Sequence, residues 1–336
     1  MEHIKIAGLP HEASRIALGT WAIGGWMWGG SDEAESVKTI HQALDSGINV
    51  IDTAPVYGFG QSEEIVGKAL TGGRRRQALI ATKTGLDWSS GKILRDSSPQ
   101  KLRQKLEDSL RRLQTDVIDI YQVHWPDESV PFEETARTLD DFRREGKIRA
   151  IGVSNFSPSQ MDSFRSGASL QTVQPPYNLF EREIEAELLP YCLRSGLATL
   201  TYGALCRALL SGKLQEDTHF EGDDLRLTDP KFQPPRYAQY LTAVRRLDQF
   251  ARQRYGKRVI HLAVRWLLDQ GATAALWGAR HPGQLQPIDE VFGWSLDAAA
   301  KSEIGRILRE SITDPVGPEF MAPPARSKPA VLEAAQ

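Results

Sequence analysis

The feature that most constrains this chain is a rhythm. Short apolar runs rich in β-branched residues recur eight times: IALGTWAIG (16–24), NVIDTA (49–54), ALIATK (78–83), VIDIYQVH (117–124), IRAIGVSN (148–155), TVQPPYN (172–178), LATLTYG (197–203) and TAALWGA (273–279). Between them lie longer segments such as PQKLRQKLEDSLRRLQ and FEETARTLDDFRREGK, whose apolar residues repeat every three or four positions. That spacing gives a helix one buried face, and in the second segment acidic residues come early and basic ones late, which suits the helix dipole. Eight β-α units in 336 residues specify an α/β fold, a closed (β/α)8 barrel of the TIM type, because open doubly wound sheets use about five or six strands. The whole chain, 1–336, reads as one barrel domain. The alternating runs HIKIAGL (3–9) and ASRIALG (13–19) ahead of the repeat predict an N-terminal hairpin that plugs the barrel bottom. Two stretches break the rhythm: QEDTHFEGDDLRLTDPKFQPPRY (215–237), an extended lid loop, and the proline-rich tail from residue 313, of which about 325–336 is expected to fray.

In such a barrel the carboxyl ends of the strands converge on one face, so strand-end position, not sequence distance, decides which side chains meet. The second run ends on a carboxylate, in GINVIDTAPVYGFG, where Asp52 is followed by Tyr57 in a glycine- and proline-punctuated turn. A charge held at the rim of a core needs a fixed partner. Lys83 ends the third run and His124 the fourth, which supplies one. Taken singly, each has a bland explanation: an Asp braces a loop, a His satisfies local hydrogen bonds, a Lys meets solvent. On consecutive strand ends the four together point to chemistry. Lys83 beside Asp52 keeps both ionised, and its ammonium is expected to lower the phenol pKa of Tyr57 from ~10. Phenol, imidazole and a charge pair, without thiol or serine base pair, suit protonation of a carbonyl oxygen as charge develops on it. No side chain donates hydride, so a nicotinamide cofactor is implied.

Composition excludes several other classes. With 41 basic and 43 acidic residues the formal net charge is -2, so no global field draws the chain to nucleic acid or anionic membrane. The only cysteines, Cys192 and Cys206, have no C-x-x-C spacing, and His3, His11, His41 and His261 stand apart, so no metal site is expected. With no apolar leader and no spanning segment, the expectation is a cytoplasmic protein that acts on a small molecule.

The order DTAPVYG, ATK, YQVH resembles the catalytic tetrad of the aldo-keto reductases, here Asp52, Tyr57, Lys83 and His124. The tail ALWGARHPGQL…GW…DPVGPEFMAPP further resembles a bacterial branch that includes a Bacillus general stress protein and glyceraldehyde- or glycerol-acting reductases. The resemblance implies a barrel that binds NADP(H) in extended form without a Rossmann domain, and no G-x-G-x-x-G opens a helix after a strand here. It implies that Ser154, Asn155 and Gln174 hold the carboxamide, that Tyr202 stacks on the nicotinamide, and that Gly19, Thr20 and Trp21 line its ribose, with Asp52 close by. YGALCRALLSGK resembles the pyrophosphate loop, giving Gly203, Ala204, Leu205, Cys206 and Arg207, then Ser211 and Lys213. Arg226 of the lid would close over the phosphates, and Gly278, Ala279, Arg280 and Gln284 would meet the adenosine phosphate. Pro287 and Ile288 depart from the acidic residue and Asn of many relatives, and Trp277 stands where Pro is common. Trp21, Trp26, Trp28, Trp88 and Trp125 fall in upper loops, and Trp21, Trp88 and Trp125 are assigned to a substrate pocket. The implied activity is reversible NADPH-dependent reduction of small aldehydes or ketones, including hydroxyaldehydes such as glyceraldehyde, with Tyr57 as general acid. The alternative is a redox-sensing regulatory subunit that binds cofactor with little turnover.

Overall fold

The computed structural model describes residues 1–325, so the expected frayed tail, apart from Ala325, lies outside the described residues. The eight runs form a closed barrel. Its strands are β1 (Ile16–Gly19), β2 (Val50–Asp52), β3 (Leu79–Thr84), β4 (Ile118–Val123), β5 (Ile148–Ser154), β6 (Thr172–Gln174), β7 (Ala198–Thr201) and β8 (Ala274–Gly278). Each pairs in parallel with the next, and β8 closes on β1 with Gly278 opposite Gly19. Several strands are shorter than their runs. After Gly19 the chain turns into a 3-10 helix at Ala22–Gly24, and β6 stops before Pro175 and Pro176, which have no N–H to offer a neighbour.

The helices are α1 (Glu33–Asp45), α2 (Gln61–Ala69), α3 (Pro99–Leu113), α4 (Phe132–Arg144), α5 (Pro158–Arg165), α6 (Leu188–Ser195), α7 (Arg236–Tyr255), α8 (Val259–Asp269) and α9 (Ala298–Ser311). In α3 the buried face is Leu102, Leu106, Leu110 and Leu113, the spacing visible in the sequence. Asp32, Ser157 and Asp297 start α1, α5 and α9 by accepting backbone N–H bonds at the otherwise unpaired first turn. The β7–β8 connection departs from one helix per strand: it carries both α7 and α8, with α7 packed against α8 and α9.

Strand parity sorts the core into two compartments. Ile16, Leu18, Ile51, Ile80, Tyr121 and Ile151 face the helices in the large outer core. Ala17, Val50, Leu79, Ala81, Ile120, Ala150, Leu200, Ala274 and Leu276 face inward as a separate cluster, joined from below by Ile6, Leu9 and Ala13. The predicted hairpin thus closes the bottom, although only His3–Ile4 and Ala13–Ser14 pair. Asp52 follows Val50 by two residues and Lys83 follows Ala81 by two, so both continue the inward face upward. No helix among the described residues is long and apolar enough to cross a membrane.

Candidate active site

At the upper end of the barrel the inward positions turn polar. Lys83 Nζ donates to Asp52 Oδ1 at 2.7 Å, to the Thr53 carbonyl at 3.0 Å and to Tyr57 Oη at 3.3 Å. The other Asp52 oxygen accepts from Gln174 Nε2 at 2.7 Å. Asp52 and Lys83 are almost wholly buried, so every donor and acceptor of the pair needs a protein partner, and this set provides them. The His124 ring meets the Tyr57 ring edge-on, centroids 6.0 Å apart, while Trp21 stacks over Tyr57 at 5.8 Å. The four residues singled out on strand ends are therefore one cluster.

The electrostatics differ from the sequence expectation at Tyr57. Burial pushes its pKa upward and outweighs the downward pull of Lys83, so the phenol is held above its ordinary value. The expected lowering does not occur, because burial disfavours the phenolate and Asp52 offsets part of the ammonium's field. Lys83 is pulled down by burial, but Asp52 and then Tyr57 more than compensate, and it stays charged. His124 lies well below its usual value, through burial first and Lys83 second, so the imidazole is neutral. A neutral phenol beside an ammonium is a proton donor whose conjugate base is stabilised in place.

Two cavities meet over this cluster. One, about 790 Å³, opens outward and is walled by aromatics including Trp21, Trp88 and Trp125. The other, about 240 Å³, runs across β1, β7 and β8. Trp21, Tyr57, Tyr202 and Met321 border both. The barrel thus sets the Tyr57 phenol at the junction of two cavities.

Comparison with known proteins decides the family. Residues 15–309 match the Aldo/keto reductase family. The chain belongs to that family. It is 60% identical to the aldo-keto reductase YhdN of Bacillus subtilis, over 98% of this chain and 100% of the relative. Among solved structures, the glycerol dehydrogenase AKR11B4 from Gluconobacter oxydans superposes with a TM-score of 0.85 at 53% identity, over 95% of this chain and 99% of that one. An aldo/keto reductase from Klebsiella pneumoniae, solved in complex with NADP and acetate, gives a TM-score of 0.70 at 27% identity over 91% and 95%. The protein is an aldo-keto reductase-family oxidoreductase built on a (β/α)8 barrel.

The reductase's narrower cavity gathers many of the residues assigned to cofactor. Gly19, Thr20 and Trp21 line it, as do Gly203, Ala204 and Leu205, Arg207 and Arg226, and Gly278, Ala279, Arg280 and Gln284. Ser154, Asn155, Gln174 and Tyr202 face the wider cavity at the junction. Tyr202 Oη donates to Asn155 Oδ1 at 2.9 Å, and Asn155 Nδ2 donates to the His124 carbonyl at 3.0 Å. Gln174 commits its amide nitrogen to Asp52, which leaves its oxygen for a ligand. Gly203, Cys206, Arg207 and Ala208 all have positive φ, and Gly203, Arg207 and Ala208 of this turn line the groove.

Three assigned residues stand away from it. Cys206 is buried in the outer core. Ser211 donates to the Ala208 carbonyl and accepts from Lys213 N, closing a turn, and Lys213 is exposed. None of the three lines either cavity. Arg207 borders the groove, yet its charge is bound to Glu181 and Asp229. Arg226 chelates Asp224, and Arg280 donates to the Trp28 and Gly30 carbonyls at 2.7 and 2.9 Å.

Other residues of the site were not singled out in the sequence. The tail segment Phe320, Met321, Pro323 and Pro324 walls the wide cavity, held by Arg95 Nε at the Pro323 carbonyl, 3.1 Å. Asp223 fastens the lid by accepting from Met27 N at 2.8 Å and Gly29 N at 3.2 Å. Phe59 also faces the wide cavity, beside Trp26, which the sequence places in an upper loop. The one available signal was Phe59 between two glycines in the YGFG turn.

Proposed function

We propose that this reductase reversibly converts aldehydes or ketones to alcohols with NADP(H), with Tyr57 as general acid. The observation that carries the reading is the Tyr57 hydroxyl, 3.3 Å from Lys83 Nζ at the meeting point of two cavities. The lining of the narrower cavity fits a dinucleotide: the small residues Gly203, Ala204 and Gly278 and three arginines lie along it, with an aromatic ring and two carboxamides at the junction. When bound, the nicotinamide supplies the hydride. Ser154, Asn155 and Gln174 would hold its carboxamide, Tyr202 its ring, and Arg226 and Arg280 its phosphates after leaving Asp224 and the Trp28 and Gly30 carbonyls.

Within the chain, His124 is a neutral donor that orients the carbonyl oxygen toward Tyr57. As that oxygen gains charge, Tyr57 Oη delivers its proton, and Lys83 Nζ stabilises the tyrosinate left behind. Asp52 holds Lys83 in place and charged. Trp21, Trp88 and Trp125 bound the substrate space. The two cysteines are free and buried, which is compatible with a reducing cytoplasm, and the whole chain acts as one domain. A regulatory subunit without turnover would not require this proton relay.

Loss of absorbance at the reduced-nicotinamide band tests the reading, with NADPH against NADH, on glyceraldehyde and, in reverse, on glycerol. Tyr57→Phe should cut turnover by about 10²–10⁴-fold, the range for a lost general acid, while leaving NADPH binding measurable by fluorescence. Undiminished turnover in that variant would remove Tyr57 from the role.

A further inference from the structure

We propose that Ser62, bonded to the hydroxyls of Thr20 and Thr53, is a positioning residue for proton transfer: it sets the distance of Tyr57 from Lys83 without touching substrate or cofactor. This rests on the reading of Tyr57 as general acid and names what fixes that acid in place. At 3.3 Å the Lys83–Tyr57 contact lies beyond the usual range of N–H···O bonds, about 2.7–3.2 Å, so it has no slack. Lys83 makes two shorter bonds, to Asp52 at 2.7 Å and to the Thr53 carbonyl at 3.0 Å. The ammonium is therefore held by the end of β2, and Tyr57 has to be brought to it.

Tyr57 stands on an arch of chain between the end of β2 and the start of α2. Within the arch the backbone bonds are local turns, Tyr57 N to the Ala54 carbonyl at 3.1 Å and Gln61 N to the Gly58 carbonyl at 3.2 Å. These shape the arch but do not set its height over Lys83. Its far end does. Ser62 N donates to the Tyr57 carbonyl at 3.1 Å, and Gly24 presses so close that a Cβ there would lie 2.7 Å from the same oxygen. The Tyr57 peptide is thus held by the turn after β1 and by the first turn of α2.

Ser62 is in turn tied to the strands that carry the ion pair. Its Oγ shares hydrogen bonds with Thr20 Oγ1 at 2.7 Å and Thr53 Oγ1 at 2.9 Å, and lies 3.0 Å from the Thr20 carbonyl. Thr20 Oγ1 reaches the Asp52 carbonyl at 2.9 Å. Each hydroxyl can donate once, and one chain of donors satisfies all three: Thr53 to Ser62, Ser62 to Thr20, and Thr20 to the Asp52 carbonyl. The next residue adds a second tie. Glu63 accepts at 2.7 Å from the hydroxyl of Thr82, the residue before Lys83, and at 2.7 Å from Arg112 Nε. The first turn of α2 is thereby fastened to β2 beside Asp52 and to β3 beside Lys83. Thr53 and Ser62 are fully buried and line neither cavity, so they act on the reaction only through Tyr57 and its partners. Apolar side chains of the same shape would pack in this space at little penalty. Hydroxyls add bonds of set length and direction, which is what a contact without slack requires.

The test is the single-turnover rate of NADPH oxidation by propanal and by glyceraldehyde, in H2O and in D2O, for the wild type and Ser62→Ala. Weakening a bond to a charged donor should slow this step about tenfold, while the Kd for NADPH, read by fluorescence, holds. The solvent isotope effect should rise, because proton delivery from a less stabilised phenol becomes the slow part of the step. The alkaline limb of the rate should move to higher pH, since a phenol farther from the ammonium is a weaker acid. A merely structural serine would lower the melting temperature and leave the isotope effect and the limb where they are. Thr53→Val, which removes a hydroxyl at nearly constant shape, should repeat the effect more weakly, and Thr53→Ser, which keeps the hydroxyl, should match the wild type. Folded Ser62→Ala with the wild-type rate, or with a lower rate but an unchanged isotope effect and limb, overturns this inference alone. Where Ser62→Ala does not fold, a wild-type rate in Thr53→Val does the same. Absence of turnover by the wild type with either aldehyde and either nicotinamide, or undiminished turnover in Tyr57→Phe, overturns the parent reading and this one with it.

Discussion

Asp52 and Lys83 form a buried ion pair at the top of the barrel, and beyond β6 and β7 a second set of buried charges, Glu181, Arg207, Asp229 and Lys231, forms a quartet. Both are balanced in charge and almost sealed from water. The quartet turns inward: Lys231 bridges Glu181 at 2.8 Å and the Gly317 carbonyl at 2.9 Å, and Asn178 donates to the other Glu181 oxygen at 2.7 Å. It pins the loop after β7, the lid and the tail together. The pair differs in a single respect, because Lys83 has a donor left over for a phenol that faces open space. Burial of charge therefore does not by itself mark chemistry. A titratable neighbour that borders a cavity does.

Replacement of Lys83 by Met is the strongest way to break this comparison. Turnover should fall by about 10³-fold or more, as expected when a preorganised electrostatic partner is lost. Stability should fall as well, because Asp52 is left buried without its cation. Adding Asp52→Asn to Lys83→Met should recover much of the melting temperature but none of the activity; recovery of both would make the pair purely structural. At the quartet the expected order is reversed. Arg207→Met leaves two carboxylates without their shared cation and should cost about 3–5 kcal/mol of stability, read by denaturant unfolding. The folded fraction should show a raised KM for NADPH with kcat little changed, whereas a matching collapse of kcat would merge the two clusters into one machine.

The smallest effect sharpens the electrostatics of His124. Its folded pKa lies well below the ordinary value, so the unfolded chain takes up this proton first as pH falls. The stability it contributes is complete above about 6.5 and is lost as pH drops toward the folded value. Turnover should accordingly show no step at the ordinary histidine pKa. A loss of kcat centred there, removed by His124→Gln, would mean that the imidazole titrates at its ordinary value in the folded enzyme.

Much of the architecture was legible in the sequence, and the reason is local. The eight strand runs, the helix faces such as Leu102, Leu106, Leu110 and Leu113, and the inward placement of Asp52 and Lys83 all follow from periodicities of 3.6 and 2 that act over a few residues. The strand-end argument then brought Tyr57 and His124 to the same mouth. The segment 202–213 was legible only in part. YGALCRALLSGK shows small residues and a terminal Lys, but not the turn with positive φ at Cys206, Arg207 and Ala208, the burial of the Arg207 charge against Glu181 and Asp229, or that Cys206, Ser211 and Lys213 line neither cavity.

The sequence by itself determined the barrel, the direction of its active face and the residues that meet there, because these are consequences of repeat number, side-chain parity and strand-end position. Tertiary structure alone decided the raised phenol of Tyr57, the partners of Arg207, Arg226 and Arg280, and the recruitment of Phe320 and Met321 into the site wall. Those outcomes depend on burial and on contacts between segments far apart in the chain. Desolvation and long-range pairing are properties of the packed interior, and no local pattern of residues encodes them.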